Sequence, residues 1–481
     1  MVVAKKENDA LTQDLSQWLQ PDQILTSPAA RRGYDCDAYV VDRFPPAIIL
    51  LPTSTDEISN VVKYCHKNSI PFTARGAGTG LSGGALPALG GILISTKRMT
   101  KILRVEPENQ ILEAQAGATN KSLSDACLQY GLHFAPDPSS GTVCTLGGNI
   151  AENSGGPHTL KYGVTSGHVL QVTMVEPEGN VWEIGSETAG APGLDFLSLI
   201  VGGEGTLGVV TQSVVRLTPL AKFVKTSLAS FPTVHDATEC VASIIQSGII
   251  PAALEMMDHG ILAALRAAFG LQYPEDANAL LLIECDGNDE AIVLSEMKSV
   301  RALCAEHKSL DFELAADEKG RKALWKARKQ GIGAMGRVAP TVITHDGVIP
   351  RSKLPEMLET VYQIAAEYGL GVANIFHAGD GNLHPCFYFD DRVPGVVDRV
   401  VRAGDTLMRR CIELGGSATG EHGIGVEKLD LMPMMFGDNG LKMQADAKAI
   451  FNKSSMCNPC KVLPHQKSCV EHAKRWRGVA T

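Results

Sequence analysis

The segment RGAGTGLSGGALP, residues 75–87, is a glycine-rich stretch whose conformation decides the fold of the N-terminal part of the chain. A G-x-G-x-x-G spacing, typical of nicotinamide-dinucleotide sites, begins at Gly78. In those sites the glycine loop opens a helix, but Gly84 and Pro87 forbid a helix here. The loop is therefore expected to lie across a ligand with several backbone N–H groups exposed, an arrangement that suits a pyrophosphate.

The residues on either side of this loop predict a β-α-β opening. AIILL (47–51) reads as a buried strand, and IPFTA (70–74) as the strand that feeds the loop. Between them, Ser54 and Glu57 have the spacing of a capping box at the start of a helix. Four apolar residues follow at helical spacing, namely Ile58, Val61, Val62 and Cys65.

Three further segments extend this pattern. Residues 135–156, APDPSSGTVCTLGGNIAENSGG, follow neither helix nor strand period, and a loop of this length inside a compact domain is usually functional. VTMVEPEGNVWEI (172–184) predicts a hairpin, and GEGTLGVVTQSVVRL (203–217) predicts a glycine-turned loop that enters a strand.

The pattern changes near residue 222, where amphipathic helices begin to alternate with short strands. This indicates a second α+β domain. We therefore predict an N-terminal lead (1–42), a nucleotide-binding domain (43–222), a substrate or cap domain (223–465) and a C-terminal tail (466–481).

Length, composition and charge favour a multi-domain globular protein. The chain has 481 residues, 44% of them hydrophobic, and a net charge of −9 without a long basic block. Nucleic acid and anionic membranes are therefore not expected partners. The N-terminal MVVAKKENDA does not resemble a secretion signal, and no run of about 18 apolar residues occurs, so we expect a cytoplasmic protein that does not span a membrane.

Twelve cysteines are scattered, mostly within apolar runs, as buried thiols are. The exception is CNPC, Cys457 to Cys460, which is either a structural turn or a metal-binding or redox pair. The sequence lacks a four-cysteine run of the kind that holds an iron–sulfur cluster.

The segment FHAGDGNLHP, residues 376–385, surrounds a Gly-Asp-Gly-Asn turn with two histidines. Such a turn allows the flanking segments to pair as antiparallel strands, in which opposite Cβ atoms are about 5 Å apart. His377 and His384 can then share a metal ion or a ligand. The alternative is a hairpin with two solvated imidazoles.

Taken together, six motifs resemble the FAD-dependent 2-hydroxyacid dehydrogenases of the vanillyl-alcohol oxidase superfamily, a group that includes the FAD-binding subunit of glycolate oxidase. The motifs are RGAGTGLSGGALP, PDPSSGTVCTLGGNIAENSGG, KYGVT, GEGTLGVV, FHAGDGNLHP and GEHGIG. The resemblance implies an α+β fold, in which a two-subdomain FAD-binding domain of the vanillyl-alcohol oxidase type is followed by an α+β cap domain.

The resemblance also implies which residues contact FAD. They are Arg75, Gly76, Ala77, Gly78, Thr79, Gly80, Leu81, Ser82, Gly83, Pro136, Asp137, Ser139, Ser140, Gly147, Gly148, Asn149, Glu152, Asn153, Ser154, Gly155, Gly156, Gly205, Thr206, Gly208, Val209 and Asn458. Covalently flavinylated members of the superfamily use a histidine in the first of these loops. This chain has none there, so non-covalent FAD is expected.

Members of this family hold a divalent metal, typically zinc, between the two hairpin histidines and the Glu of GEHGIG, here His377, His384 and Glu421. Three N/O ligands with an open position describe a catalytic zinc. His422 is then the expected general base, or alternatively a packed histidine. Arg328 matches the carboxylate-binding Arg of the family, although it can instead be one charge of a solvated helix face.

The implied activity is oxidation of a 2-hydroxy acid to the 2-oxo acid with hydride transfer to FAD. Relatives that use 2-hydroxyglutarate carry a lysine in the strand that here reads PTVITHDG, so glycolate or D-lactate is favoured, although His345 can partly substitute. Homologous glycolate-oxidising systems imply an iron–sulfur partner subunit as electron acceptor. The alternatives are D-2-hydroxyglutarate dehydrogenase, an O₂-using oxidase or ether-lipid synthase on the same fold, and a catalytically silent flavin-binding subunit.

Overall fold

The computed structural model describes residues 2–87, 90–188 and 193–464, with side chains from residue 9 onward. The described chain divides into two compact units. The first unit comprises the residues up to Ser154, Val164–Pro219 and the residues from Glu421 onward, and the second comprises Gly155–Gly163 and Leu220–Gly420. The predicted domain limits of 43–222 and 223–465 remain predictions, and the predicted tail (466–481) lies outside the described residues.

The strands and helices are numbered in chain order. The strands are β1 (Ile24–Leu25), β2 (Ile48–Leu50), β3 (Phe72–Arg75), β4 (Ile92–Ser95), β5 (Ile102–Glu106), β6 (Ile111–Gln115), β7 (Leu132–His133), β8 (Val169–Val175), β9 (Val181–Gly185), β10 (Val209–Arg216), β11 (Thr218–Pro219), β12 (Phe223–Phe231), β13 (Ala253–Asp258), β14 (Ala279–Gly287), β15 (Asp311–Leu314), β16 (Thr341–Thr344), β17 (Gly347–Val348), β18 (Gly371–His377), β19 (Asn382–Leu383) and β20 (Pro385–Phe389). The helices are α1 (Val2–Leu15), α2 (Pro28–Arg32), α3 (Thr55–Asn68), α4 (Asn120–Cys127), α5 (Leu146–Glu152), α6 (Thr159–Tyr162), α7 (Leu197–Ile200), α8 (Val234–Gln246), α9 (His259–Phe269), α10 (Glu290–Glu306), α11 (Glu318–Ala334), α12 (Leu354–Glu367), α13 (Val396–Glu413) and α14 (Met432–Phe451).

The first unit opens with the expected β-α-β arrangement. Strands β2, β4 and β3 are parallel neighbours, and β1 adds antiparallel to β2. Helix α3 buries the four apolar residues predicted for its inner face. Its capping box is only half formed: Ser54 Oγ accepts from Glu57 N, but the Glu57 carboxylate accepts from Thr53 N and Gln23 Nε2 instead of Ser54 N.

The glycine-rich loop follows β3 without opening a helix, as predicted, over its described residues 76–87. A second antiparallel sheet of the first unit has the order β5-β6-β10-β8-β9. The predicted hairpin at 172–184 is confirmed, because β8 and β9 pair directly.

The expectation that 135–156 contains no helix is wrong for residues 146–152, which form α5. The Oγ1 of Thr145 accepts a hydrogen bond from Gly148 N and caps this helix. Sequence reasoning missed it because Gly147 and Gly148 lower helix propensity within its first turn.

The second unit is built on one antiparallel sheet, which confirms the expected α+β pattern. Its main order is β15-β12-β14-β13-β18-β19-β17, and β20 pairs with both β18 and β16. Helices α9 and α11 pack on its apolar core through buried residues such as Leu265 and Trp325. Strands β13 and β14 are buried over nearly their whole length, so a charged residue on either strand needs a partner inside the unit.

Among the described helices, none combines the length and the apolar composition that crossing a membrane would require.

Candidate active site

The turn between β18 and β19 places the two hairpin histidines in the second unit. As predicted, the flanking segments pair antiparallel, with Ala373 opposite Cys386. His377 ends β18 opposite Asn382, and His384 follows β19. Gly381 has a φ of 80°, and a Cβ there would lie 2.2 Å from the backbone oxygen of Ile349, so the turn requires glycine at this position.

The rings of His377 and His384 come together inside the second unit. Their centroids are 5.1 Å apart with an interplanar angle of 88°. The two residues are only 4% and 5% exposed. The alternative of a solvated hairpin is therefore wrong.

Both rings direct Nδ1 toward an oxygen. The Nδ1 of His377 lies 2.7 Å from Glu255 Oε1, and the Nδ1 of His384 lies 3.3 Å from the backbone oxygen of His345. A hydrogen on Nδ1 satisfies each contact and leaves the imidazole lone pair on Nε2. Two imidazoles in this tautomer are suitable metal ligands.

Arg328 lies on α11 and is buried at 5% exposure, so the alternative of a solvated helix face is wrong. Its Nε and Nη2 both lie 2.6 Å from Glu255 Oε2. Burial alone would raise the pKa of Glu255, but the charges and hydrogen bonds of Arg328 and His377 outweigh it, and the pKa is held below its usual value.

Asp346 anchors the end of the second unit. Its Oδ2 accepts from Thr419 Oγ1 at 2.6 Å and from the backbone N–H of Gly420 at 2.9 Å. Its Oδ1 lies 3.9 Å from His384 Nδ1. Glu421 is bonded directly to Gly420, so this buried carboxylate fixes the backbone immediately before the predicted third ligand.

The predicted ligand Glu421 and the predicted base His422 belong to the first unit, where Glu204 holds the loop that follows them. The two carboxylate oxygens of Glu204 accept from the backbone N–H groups of Ile424 and Gly425 at 2.6 and 2.7 Å. Ser82 Oγ donates to the backbone oxygen of His422 at 2.8 Å. Two of the predicted flavin loops thus fix the loop that carries the predicted base.

Most of the predicted FAD-contacting residues come together in the first unit. Asn458 Nδ2 donates to the backbone oxygens of Gly84 and Glu204, and so joins the first and last of these loops. Asn120 joins the other two, because its Nδ2 donates to Pro136 O and its Oδ1 accepts from Asn149 Nδ2. Two predicted contacts are placed elsewhere, in the second unit, namely Gly155 and Gly156.

The chemistry of these loops fits a bound dinucleotide. A Cβ on Gly80 would meet only Glu152 Oε1, at 3.7 Å, and one on Gly205 would meet nothing closer than 3.9 Å, so both glycines border open space. Among the described residues, the buried Asn458 Oδ1 and Glu152 Oε2 have no hydrogen-bond partner. Glu204 and Asn458 also adopt positive φ values of 49° and 40°, a strain that proteins concentrate at ligand sites.

Four buried titratable groups lie near the predicted flavin loops. Burial raises the pKa of Glu152, with a further contribution from the Glu204 charge, and burial also raises the pKa of Glu204. Burial raises the pKa of Asp37 to about 6 and lowers the pKa of Lys461 to about 7. Lys461 Nζ donates to Leu86 O at 2.6 Å, which ties the C-terminal segment to the glycine loop.

Two further predicted residues have contacts that the sequence did not indicate. The guanidinium of Arg75 donates to Cys36 O at 2.7 Å and lies over the ring of Tyr34. Cys457 is a buried free thiol that donates to Gly205 O, so the CNPC segment does not form a Cys457–Cys460 disulfide.

Sequence reasoning missed several residues that organise the site: Glu255, Asp346, Glu204, Asn120 and Lys461. Glu255 did carry a signal, since it is a lone charge in the apolar strand ALEMM. The partners of the others are far away in sequence, and no local pattern identifies them.

Comparisons with known proteins identify the family and the fold of the chain. Residues 46–185 match the family described as "FAD binding domain", and residues 220–462 match "FAD linked oxidases, C-terminal domain". The solved structure of 4-ethylphenol oxidase from Gulosibacter chungangensis is similar in fold, with a TM-score of 0.81 at 17% identity, covering 96% of this chain and 98% of that one. The fold is therefore that of a two-domain flavoprotein of the vanillyl-alcohol oxidase type, as predicted.

Two relatives indicate which kind of FAD-linked oxidase the chain is. The chain is 40% identical to the glycolate oxidase subunit GlcD of Escherichia coli (strain K12) over 449 residues, which is 93% of this chain and 90% of the relative. It is 30% identical to a D-lactate dehydrogenase of Anaerostipes hadrus, covering 92% and 95% of the two chains. The chain belongs to the FAD-linked oxidases, within the FAD-dependent 2-hydroxyacid dehydrogenases.

Proposed function

We propose that the chain oxidises glycolate or D-lactate to the corresponding 2-oxo acid. The observation that carries this proposal is the buried group of Arg328, Glu255 and His377, which combines a cation for a carboxylate with an imidazole of metal-ligand type. The relatives named glycolate oxidase subunit and D-lactate dehydrogenase support the same substrate class. The segment that precedes Asp346 carries no lysine for a second carboxylate, which favours a short monocarboxylate.

A divalent metal, with zinc the first candidate, is the second part of the proposal. His377, His384 and Glu421 would hold it, and the donor set of two imidazoles and one carboxylate fits this ion. When bound, the metal would acidify the substrate hydroxyl. The backbone anchor at Asp346 supports the choice of Glu421, because that residue follows the anchored Gly420 directly.

The roles of the remaining residues follow from their chemistry. Arg328 would pair with the substrate carboxylate, since Glu255 engages only its Nε and Nη2 and a guanidinium carries five N–H donors. His422 would take the hydroxyl proton on its imidazole as general base. FAD supplies the hydride acceptor when bound.

FAD is expected to bind non-covalently. The glycine loop of residues 75–87 contains no histidine to which a flavin can be attached. Acid precipitation should therefore leave the flavin in the supernatant, and flavin that stays with the precipitated protein would contradict this part of the proposal.

The electron acceptor is proposed to be an iron–sulfur partner subunit in the cytoplasm. The sequence has no cluster-binding cysteine run of its own, and the relative GlcD is named as a subunit. The isolated chain should reduce artificial dyes much faster than O₂. Equal rates with dyes and with O₂ would identify an oxidase instead.

Anaerobic bleaching of the flavin absorbance with a panel of acids tests the substrate. Glycolate or D-lactate should bleach the flavin fastest. Faster bleaching by D-2-hydroxyglutarate would identify the dicarboxylate dehydrogenase, and no bleaching by any acid would identify a silent flavin-binding subunit.

A further inference from the structure

Glu255 is a fully buried carboxylate in the middle of the apolar strand β13. It lies directly opposite His377 in the antiparallel pair of β13 and β18. Its two oxygens have different partners: Oε1 lies 2.7 Å from His377 Nδ1, and Oε2 lies 2.6 Å from the guanidinium of Arg328. One side chain therefore contacts both a predicted metal ligand and the predicted substrate-binding cation.

An ionised carboxylate at this depth is costly unless it is paired and hydrogen-bonded. A single arginine fork could pair with both oxygens of a carboxylate. Here the Nε and Nη2 atoms of Arg328 both contact Oε2 of Glu255, and Oε1 contacts the imidazole of His377. A salt bridge that only stabilises the fold does not require the two carboxylate oxygens to contact different residues.

We propose that Glu255 is a positioning residue that orients His377 for the metal and Arg328 for the substrate carboxylate at the same time. The inference rests on the proposed function. By accepting the Nδ1 hydrogen, the carboxylate fixes the His377 ring and presents its Nε2 lone pair, and carboxylates in this position also make a ligand imidazole more basic. By holding Nε and Nη2, it fixes the direction of the remaining Arg328 donors.

The same sheet contains a matched control. Glu284 on β14 is also buried and contacts an arginine of α11, Arg321, as well as a histidine, His158. Neither of these two partners is a predicted metal ligand or substrate contact. Glu284 also accepts from Thr226 Oγ1 and Trp325 Nε1. Glu284→Gln therefore removes a buried charge from the same sheet without touching the proposed metal ligands.

The experiment measures the zinc affinity of FAD-loaded wild-type, Glu255→Gln and Glu284→Gln proteins by competition with a chromophoric chelator. Glu255→Gln should bind zinc about 10 to 100 times more weakly than wild type, the usual effect of removing a hydrogen-bond partner of a ligand histidine. Its KM for glycolate should also rise. Glu284→Gln should keep the wild-type zinc affinity.

Glu255→Gln leaves Arg328 without its buried counter-charge and can therefore impair folding. The double variant Glu255→Gln/Arg328→Gln removes that charge, and its flavin spectrum reports whether the protein is folded. The double variant should show the same weakened zinc affinity. Arg328→Gln alone, which keeps the bond between Glu255 and His377, should bind zinc as wild type does but with a raised KM.

Three results would overturn the inference. In the first, wild type binds zinc and both variants that lack Glu255 bind it equally well, which leaves the proposed function intact. In the second, Glu284→Gln weakens zinc binding as much as Glu255→Gln, which identifies a general packing effect. In the third, the wild-type protein takes up no divalent metal, which refutes the metal site of the proposed function and this inference together.

Discussion

Glu255 and Glu204 are acidic side chains that the protein buries in order to hold other groups in place. Glu255 contacts residues 73 and 122 positions away in the chain, and Glu204 contacts backbone 220 positions away. Sequence motifs predicted the histidines and the arginine, because those residues stand in recognisable local patterns. They did not predict these carboxylates, because a partner so distant in sequence is fixed only by the tertiary fold.

His422→Asn tests the role of the base. Asparagine cannot take a proton from the substrate, so turnover with glycolate should fall by roughly 10²- to 10⁴-fold. The metal and FAD contents should stay at wild-type values, because the proposed metal ligands are other residues and Ser82 donates to the backbone oxygen of residue 422, which asparagine retains. The exposed His66→Asn variant is the control, and a loss of less than tenfold for His422→Asn would refute the assignment.

Asp37→Asn tests the pH dependence of a buried carboxyl. Burial raises the pKa of Asp37 from 3.8 to about 6, so the folded state binds more protons than the unfolded state between these values. The contribution of Asp37 to the free energy of unfolding is full below pH 4 and is lost as the pH rises through 6, a change of about 3 kcal/mol.

Denaturant unfolding of wild type and Asp37→Asn at pH 4 and pH 7 measures this change. The asparagine variant should gain stability relative to wild type as the pH rises, while the exposed Asp438→Asn control should not. A stability difference that is the same at both pH values would show that the Asp37 carboxyl is not perturbed.

The elements were predictable where their periodicity is strong. The β-α-β opening, the hairpin of β8 and β9 and the pairing of β18 with β20 follow from apolar spacing and turn residues. Helix α5 could not be predicted in this way, because it consists of only seven residues and two of its first three are glycines. The half-formed capping box of α3 shows the same limit, since Gln23 competes for the Glu57 carboxylate from outside the local sequence.

Glu204→Gln tests whether Glu204, in a predicted flavin loop, holds the loop that carries the predicted base. A glutamine can accept only one of the two N–H groups and brings its own N–H₂ against the other. Losing a hydrogen bond to a charged group costs about 1.5–3 kcal/mol, so hydrogen exchange at Ile424 and Gly425 should speed up by about 10- to 100-fold.

Glu176→Gln is the matched control, because this buried carboxylate also accepts two backbone N–H groups, from Glu178 and Asn180. It should leave exchange at Ile424 and Gly425 unchanged. Equal exchange at these two amides in wild type and in Glu204→Gln would show that Glu204 does not hold this loop in place.

The class of flavoprotein could be predicted because the glycine-rich loops and the histidine-containing segments FHAGDGNLHP and GEHGIG are long and specific motifs. The two compact units divide the chain in a way that periodicity does not reveal, since residues from Glu421 onward return to the first unit. The predicted ligands and base therefore derive from both units, with His377 and His384 in one and Glu421 and His422 in the other.

We propose that this chain uses a divalent metal and FAD to oxidise a short 2-hydroxy acid. The most direct test is anaerobic reduction of the bound flavin by glycolate and by D-lactate, before and after metal removal with a chelator. We expect rapid bleaching by at least one of these acids, a loss of at least about 100-fold in rate without metal, and recovery when zinc is restored, with FAD bound throughout. Bleaching at an unchanged rate in metal-free protein, or no bleaching by either acid, would contradict this proposal.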